Sequence, residues 1–160
     1  MELMRKYFLD IFKQASELLG GNLTIVEEQE DYFAIEVGGV GFECMLLPVD
    51  EERVILRTYV DVINAGVFRD NMLEVYDIMN KFNLQEGGLF KLVAIENEEA
   101  EYMTICLKSM DIIITKELME NGDVRYYHLN IIADILSYVN VHELYNEMYL
   151  SKIDEYNEIA

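Results

Sequence analysis

The side chains best suited to chemistry here are the carboxylates, two histidines and two cysteines, so the first question is whether their spacing builds a site. Three acidic clusters stand out: Glu27-Glu28-Glu30-Asp31, Asp50-Glu51-Glu52 and Glu96-Glu98-Glu99-Glu101. A calcium loop needs oxygen ligands at alternating positions, a central glycine and a distal glutamate, and none of the three has that pattern. They predict solvated turns that discourage strand edges from pairing with a neighbour. His128 and His142 are fourteen residues apart, about 20 Å along one continuous helix, too far to share a metal ion, and each is expected on an ordinary helix face. Cys44 and Cys106 lie in strand-like apolar runs. They are too few for a disulfide framework and too isolated for a metal cluster, and are expected as buried reduced thiols.

The remaining candidates are weaker. No nucleophile signature surrounds Ser16, Ser109, Ser137 or Ser151. Gly39-Val40-Gly41 has a phosphate-loop look, but it leads into a strand, and no helix N-terminus follows to hold a phosphate. Catalytic carboxylate pairs sit in apolar pockets beside orienting groups, and nothing in the chain marks such a pair. The expectation is therefore a non-enzymatic protein with no catalytic residue, no cofactor and no metal.

The chain has 160 residues, room for a single domain of ordinary size. Hydrophobic residues make up 52%, with 11 Tyr and 7 Phe, enough for a substantial core and incompatible with intrinsic disorder. One Pro and nine Gly leave little for long irregular loops. Twelve Lys and Arg face 31 Asp and Glu, a formal net charge of −19. Phosphate neutralisation needs the opposite sign, which excludes general nucleic-acid binding and electrostatic attachment to an anionic membrane. No run of about 18 apolar residues offers a membrane span. The start Met1-Glu2-Leu3-Met4-Arg5-Lys6 lacks the basic-then-apolar form of a secretory signal, so a cytoplasmic protein is expected.

The elements follow from hydrophobic period. Leu3, Met4, Tyr7, Phe8, Ile11, Phe12, Ala15, Leu18 and Leu19 recur at helical steps, and Gly20-Gly21 ends that helix. Period two then takes over through residues 22–60, in runs including Phe33, Ile35 and Val37, Val40 to Leu47, and Val54 to Val60. Gly38-Gly39 is a two-residue hairpin signal, and links this short permit only antiparallel neighbours. A second helix is predicted over 69–84 and strands over 89–95 and 102–108, with 111–116 extending the sheet. Asn121-Gly122-Asp123 then offers a cap for a last helix carrying Tyr127, Ile131, Ile132, Ile135, Leu136 and Val139. The fold class is α+β: an antiparallel meander sheet with flanking helices in the order α-β-β-β-β-α-β-β(-β)-α. One domain spans 1–150, and 151–160 forms an acidic C-terminal helical extension or fraying tail.

Three segments carry a family resemblance. Val54-Ile55-Leu56-Arg57-Thr58-Tyr59-Val60, a helix closing on Ile78-Met79-Asn80-Lys81-Phe82-Asn83, and the strand Leu89-Phe90-Lys91-Leu92-Val93-Ala94 together resemble the YbjN family. The most specific element is the Asn80-x-x-Asn83 pair followed by a Phe-Lys-hydrophobic strand. The resemblance implies a type III secretion chaperone-like fold and a small acidic, often dimeric, bacterial protein without enzymatic activity. A physical role for Asn80 and Asn83 is expected beside it: their amides fix the helix end by donating to its last carbonyls.

The function expected is a chaperone-like or regulatory module that binds a protein partner, basic or partly unfolded, through an apolar surface while its acidic field steers the encounter. A homodimer is among the arrangements the resemblance implies. The partner or dimer surface is expected at Phe33, Ile35, Val37 and Phe42 on the sheet and Tyr138, Tyr145 and Tyr149 on the last helix. Nine methionines, among them Met72, Met79, Met103, Met110 and Met148, could add adaptable contacts. The alternatives are an immunity protein neutralising a basic toxin, an enzyme with an unrecognised acidic pocket, and a structural subunit of a larger assembly.

Overall fold

The apolar stripe of the first segment winds into α1 (Glu2–Leu18). Its end is a paired backbone closure in which Gly20 N donates to Glu17 O at 3.0 Å and Gly21 N to Ser16 O at 2.9 Å. Gly20 takes φ +75°, the left-handed conformation that this closure requires and glycine adopts without a Cβ clash. The computed structural model describes residues 1–85, 88–96, 101–141, 152, 153 and 155, and the side chains of all of these except 61–65, 85 and 139–141. Tyr145, Tyr149, Met148 and most of the 151–160 extension lie outside the described residues.

Among the described residues seven strands follow, with two helices: β1 (Leu23–Gln29), β2 (Tyr32–Val37), β3 (Val40–Pro48), β4 (Arg53–Phe68), α2 (Met72–Gln85), β5 (Phe90–Glu96), β6 (Tyr102–Ser109), β7 (Ile112–Thr115) and α3 (Gly122–Val141). The hairpin between β2 and β3 turns on Gly38 and Gly39, both at positive φ, which matches the twist of the flanking strands. The sheet order is β1-β2-β3-β4-β6-β5, with β7 also paired to β4, and every pairing is antiparallel.

The fourth strand departs most from expectation. It was expected to end at Val60 and instead runs sixteen residues, to Phe68. Asp61 and Asn64-Ala65-Gly66 read as strand enders in isolation, but β6 supplies a ladder for Ala65 to Phe68, with a register shift between Val60 and Ala65. One edge of β4 carries β3. The other carries β7 against Arg53–Leu56 and then β6 from Tyr59 onward. The 111–116 segment therefore extends the sheet along β4, not beyond β6. Helix 2 likewise starts later than expected, after a tight 3₁₀ turn at Arg69–Asn71.

Alternation along the strands assigns each side chain to one face. Phe33, Ile35, Phe42, Cys44, Leu46, Leu56, Val60, Leu92, Leu107, Ile112 and Ile114 are buried with Phe8, Ile11 and Phe12 of α1, Val75, Ile78 and Phe82 of α2, and Ile132, Ile135 and Leu136 of α3. Phe12 meets Phe33 edge-on at 5.7 Å between ring centres. Ile153 is buried in the same cluster. Among the described residues all three helices lie on this one side of the sheet.

That arrangement corrects the expected partner surface. Phe33, Ile35 and Phe42 are at most 1% exposed, and Val37 is partly buried against the same core. Tyr138 is buried too, its ring stacked on Phe90 at 4.5 Å. Alternation says which strand residues share a face but not which face the helices will cover, and the helices cover this one. Met72 and Met79 are buried, Met103 is partly so and Met110 is exposed, while Met148 lies outside the described residues.

Two acidic or amide side chains shape connections. Asp50 Oδ1 accepts from the Glu52 and Arg53 backbone N–H groups at 2.9 and 2.8 Å, and Oδ2 from Arg53 Nε at 2.7 Å. These bonds hold the Asp50 carboxyl down to about 2, the Arg53 guanidinium contributing most. Asn121 Oδ1 caps α3 by accepting from Asp123 N at 3.0 Å and Val124 N at 3.1 Å. Replacing Asn121 with Ala should cost about 1 kcal/mol, read as a lower urea midpoint with an unchanged slope.

Candidate functional site

Among the described residues the chemistry-bearing side chains do not converge. Cys44 and Cys106 are both buried thiols, placed by alternation on opposite faces of the sheet. His142 and Ser151 lie outside the described residues. Ser16 and Ser109 are buried and Ser137 half-buried. Among the described residues no three His, Cys, Asp or Glu side chains group so as to hold a metal ion. Two of the acids expected in turns lie in strands and reach other elements: Glu28 of β1 receives Arg5 Nε of α1 at 3.0 Å, and Glu96 at the end of β5 lies 3.5 Å from Arg69 Nη1.

His128 lies on the buried face of α3. It is 3% exposed, and its Nδ1 meets the Tyr7 hydroxyl at 2.9 Å, joining α3 to α1. Arg125 lies over the Tyr7 ring, 5.5 Å from its centre. Burial pushes the His128 pKa below the ordinary value, with a hydrogen bond to the Ile113 backbone pulling the other way. Burial also raises Tyr7, against the nearby Arg125 charge.

A second polar junction marks where β6 gives way to β7. Register with β4 slips there, Tyr59 opposing Lys108 and Leu56 opposing Ile112. Asp111 fills the break, taking Arg57 Nε and Nη2 at 3.1 and 3.0 Å, with Lys108 Nζ at 3.2 Å. Its carboxyl is held below the usual range by Arg57 first, and the Arg57 guanidinium is raised in turn. A two-point guanidinium–carboxylate contact is directional as well as strong, so it fixes the angle between the two strand segments.

The third junction uses Asn83. Its Oδ1 accepts from Leu92 N at 2.8 Å and its Nδ2 donates to Leu92 O at 3.1 Å, while Lys91 Nζ donates to Asn83 O at 2.7 Å. The amide thus takes the place of a strand neighbour on β5, the last strand in the sheet order. It ties helix to strand through the strand backbone, not through the helix carbonyls as the sequence suggested. Asn80, one turn earlier, is exposed.

Beside Asn83 lies the feature the sequence reading missed. Leu73 is 84% exposed and Leu84 76%, and with Tyr76 and Asn80 they form a stripe along α2. Leu73 and Tyr76 alternate in sequence with Met72, Val75, Met79 and Phe82, which face the core. At 100° per residue, however, positions 73, 76, 80 and 84 gather on a flank of their own, and that signal was readable. A broad, open recess of about 580 Å³ is lined by Leu73, Tyr76, Asp77, Met79, Asn80 and Asn83.

The class these elements define is α+β: a seven-stranded antiparallel sheet with helices against one face. No protein-family model matches the chain, and no curated protein matches it. Among solved structures, the crystal structure of YbjN, a proposed transcription regulator from E. coli, aligns over 84% of this chain and 93% of its own, at 14% identity and a TM-score of 0.36. A superposition that loose assigns neither a site nor an activity to this chain. Among the described residues no helix is long and apolar enough to cross a membrane.

Two consequences are measurable. The unfolded chain takes up a proton at His128 before the folded one does. Its contribution to stability is therefore complete above the ordinary value of 6.5 and is lost as pH falls below that toward the lowered folded value. The ring resonances of His128 should titrate with a midpoint below 6.5, and a midpoint at or above it would contradict the buried Tyr7 contact. Replacing Asn83 with Ala should cost about 1–3 kcal/mol by leaving both Leu92 backbone groups without the amide, and should speed hydrogen exchange of the Leu92 amide selectively.

Proposed function

We propose that this chain is a non-enzymatic protein-interaction module of the cytoplasm, chaperone-like or regulatory, that takes up a basic, partly apolar segment of a partner on the α2 stripe. The observation that carries this reading is the exposed stripe itself. Two leucines and a tyrosine stand out from a helix whose other flank already fills the core, and contiguous apolar surface of this kind on a small domain marks an interaction site. The occupant follows from charge. Asp77 lines the recess, Glu74 is exposed on the same helix, and the chain as a whole carries −19. A segment presenting Lys or Arg around an apolar anchor gains both apolar burial and long-range attraction, and an acidic segment gains only the first.

The test is a labelled Lys/Leu amphipathic peptide titrated with the full chain by fluorescence anisotropy, beside a Glu/Leu peptide of the same pattern. The basic peptide should bind, with affinity falling as salt rises. Leu73→Ser with Leu84→Ser should weaken it about tenfold or more, the loss expected when two apolar contacts worth about 1.4 kcal/mol together are removed. Equal binding of the two peptides, or binding indifferent to the double substitution, would overturn the assignment of this surface.

A further inference from the structure

The sheet face turned away from the helices carries an ordered charge pattern. One row of directly opposed residues crosses six strands: Glu27 on β1, Ala34 on β2, Glu43 on β3, Tyr59 on β4, Lys108 on β6 and Lys91 on β5. Its acids lie on one half and its bases on the other. The Gln29 amide donates to Glu27 at 2.6 Å and the Tyr32 hydroxyl to Glu43 at 3.4 Å. On the other half Lys108 and Arg57 share the single carboxylate of Asp111, which leaves one positive charge over, and Lys91 donates to a neutral carbonyl.

On the same face the next row toward β7 sets Met45 against Arg57, and the row after it is apolar, with Leu47 opposing Ile55 and Ile55 opposing Ile113. Leu47 and Ile55 are half-buried and Ile113 is 54% exposed. Two shallow depressions of about 400 and 310 Å³ flank Met45. In a molecule of −19 most surfaces repel a second copy, but here the opposite charges balance.

From this pattern we infer that the open sheet face pairs with the same face of a second copy about a two-fold axis running parallel to the strands between β3 and β4. Such an axis reverses the row. Glu27 then lies over Lys91 of the second copy, Glu43 over Tyr59 and beside Lys108 of the second copy, and Leu47 over Ile55 of the second copy. An isologous contact needs a surface complementary to itself, and a row that is acidic in one half and basic in the other meets that condition. Two sheets meeting this way pack with strands nearly aligned, their side chains interleaved, the geometry of a sandwich core. This inference does not rest on the α2 stripe, which remains outside the contact.

The experiment is sedimentation equilibrium of the full chain over a range of concentration. The wild type should reach twice the 18.7 kDa of one chain. Glu43→Lys should weaken the dimer at least tenfold, although it brings the net charge two units closer to zero and so relieves overall repulsion. Lys108→Glu should weaken it as well, and the two together should restore it. Glu27→Lys, at an exposed strand position, should weaken it in the same way and covers the case in which a half-buried substitution disturbs folding, with circular dichroism as the check. A single-chain mass at every concentration would overturn the inference. So would a dimer indifferent to Glu43→Lys and Glu27→Lys, or one lost instead in the Leu73→Ser, Leu84→Ser variant, which would move the contact to α2.

Discussion

The arrangement of this molecule depends on β4. A strand has two edges, and here one edge is given to β3 while the other is divided between β7 and β6. Two strands can share one edge only where the chain between them steps out of register, and a carboxylate held at two points by a residue of β4 itself marks that step. Backbone groups interrupted at such a step need other partners, because burying them unpaired is costly. Met110 N finds Leu89 O at 2.8 Å, drawing in the chain just before β5. The sheet order, the placement of α2 over β5 and the last helix over β7 all descend from how β4 divides its ladder.

The second constraint is one-sidedness. With all described helices on one face, the protein has a dry side, where Phe8, Phe12, Phe33 and Phe90 are fully buried, and a half-wet side, where Met45, Tyr59 and Arg57 are only partly covered. The dry side has little polar content: Tyr7 is engaged with His128 and Thr58 with Cys44, while the buried Ser16 hydroxyl finds no hydrogen-bond partner among the described residues. The half-wet side keeps charges of both signs. A strongly acidic protein thus concentrates four of its twelve basic side chains, Arg53, Arg57, Lys91 and Lys108, on the sheet face its helices leave uncovered.

What was legible in the sequence was whatever nearest neighbours decide. The stripe of α1, its glycine stop, the Gly38-Gly39 hairpin and the Asn121 cap each depend on a few consecutive residues; the last three are found as read, and the stripe is buried from Met4 to Ala15 while Leu3, Leu18 and Leu19 at its ends are exposed. The α+β class followed from the alternation of periods. What was not legible depends on register. Val60 looked like a strand end because the partner that carries β4 onward is more than thirty residues away. Phe33, Ile35 and Phe42 were assigned to a surface because alternation does not say which side α1 will choose. The row from Glu27 to Lys91 exists only once six strands are aligned. The α2 stripe is a different matter, since the spacing of Leu73, Tyr76, Asn80 and Leu84 is present in the sequence, directly beside that of the core-facing residues.

Asn83 also bears on how the fold gives way. One side chain both anchors the end of α2 and occupies the outward backbone groups of Leu92 on the terminal strand, so the two protections are lost together. Fraying of a helix end is among the least expensive local openings a domain undergoes. Here that opening would also uncover an adhesive strand edge in the same motion. Local melting of α2 and readiness to add a foreign strand are therefore a single equilibrium, and conditions that loosen the helix raise the stickiness of the sheet to the same degree.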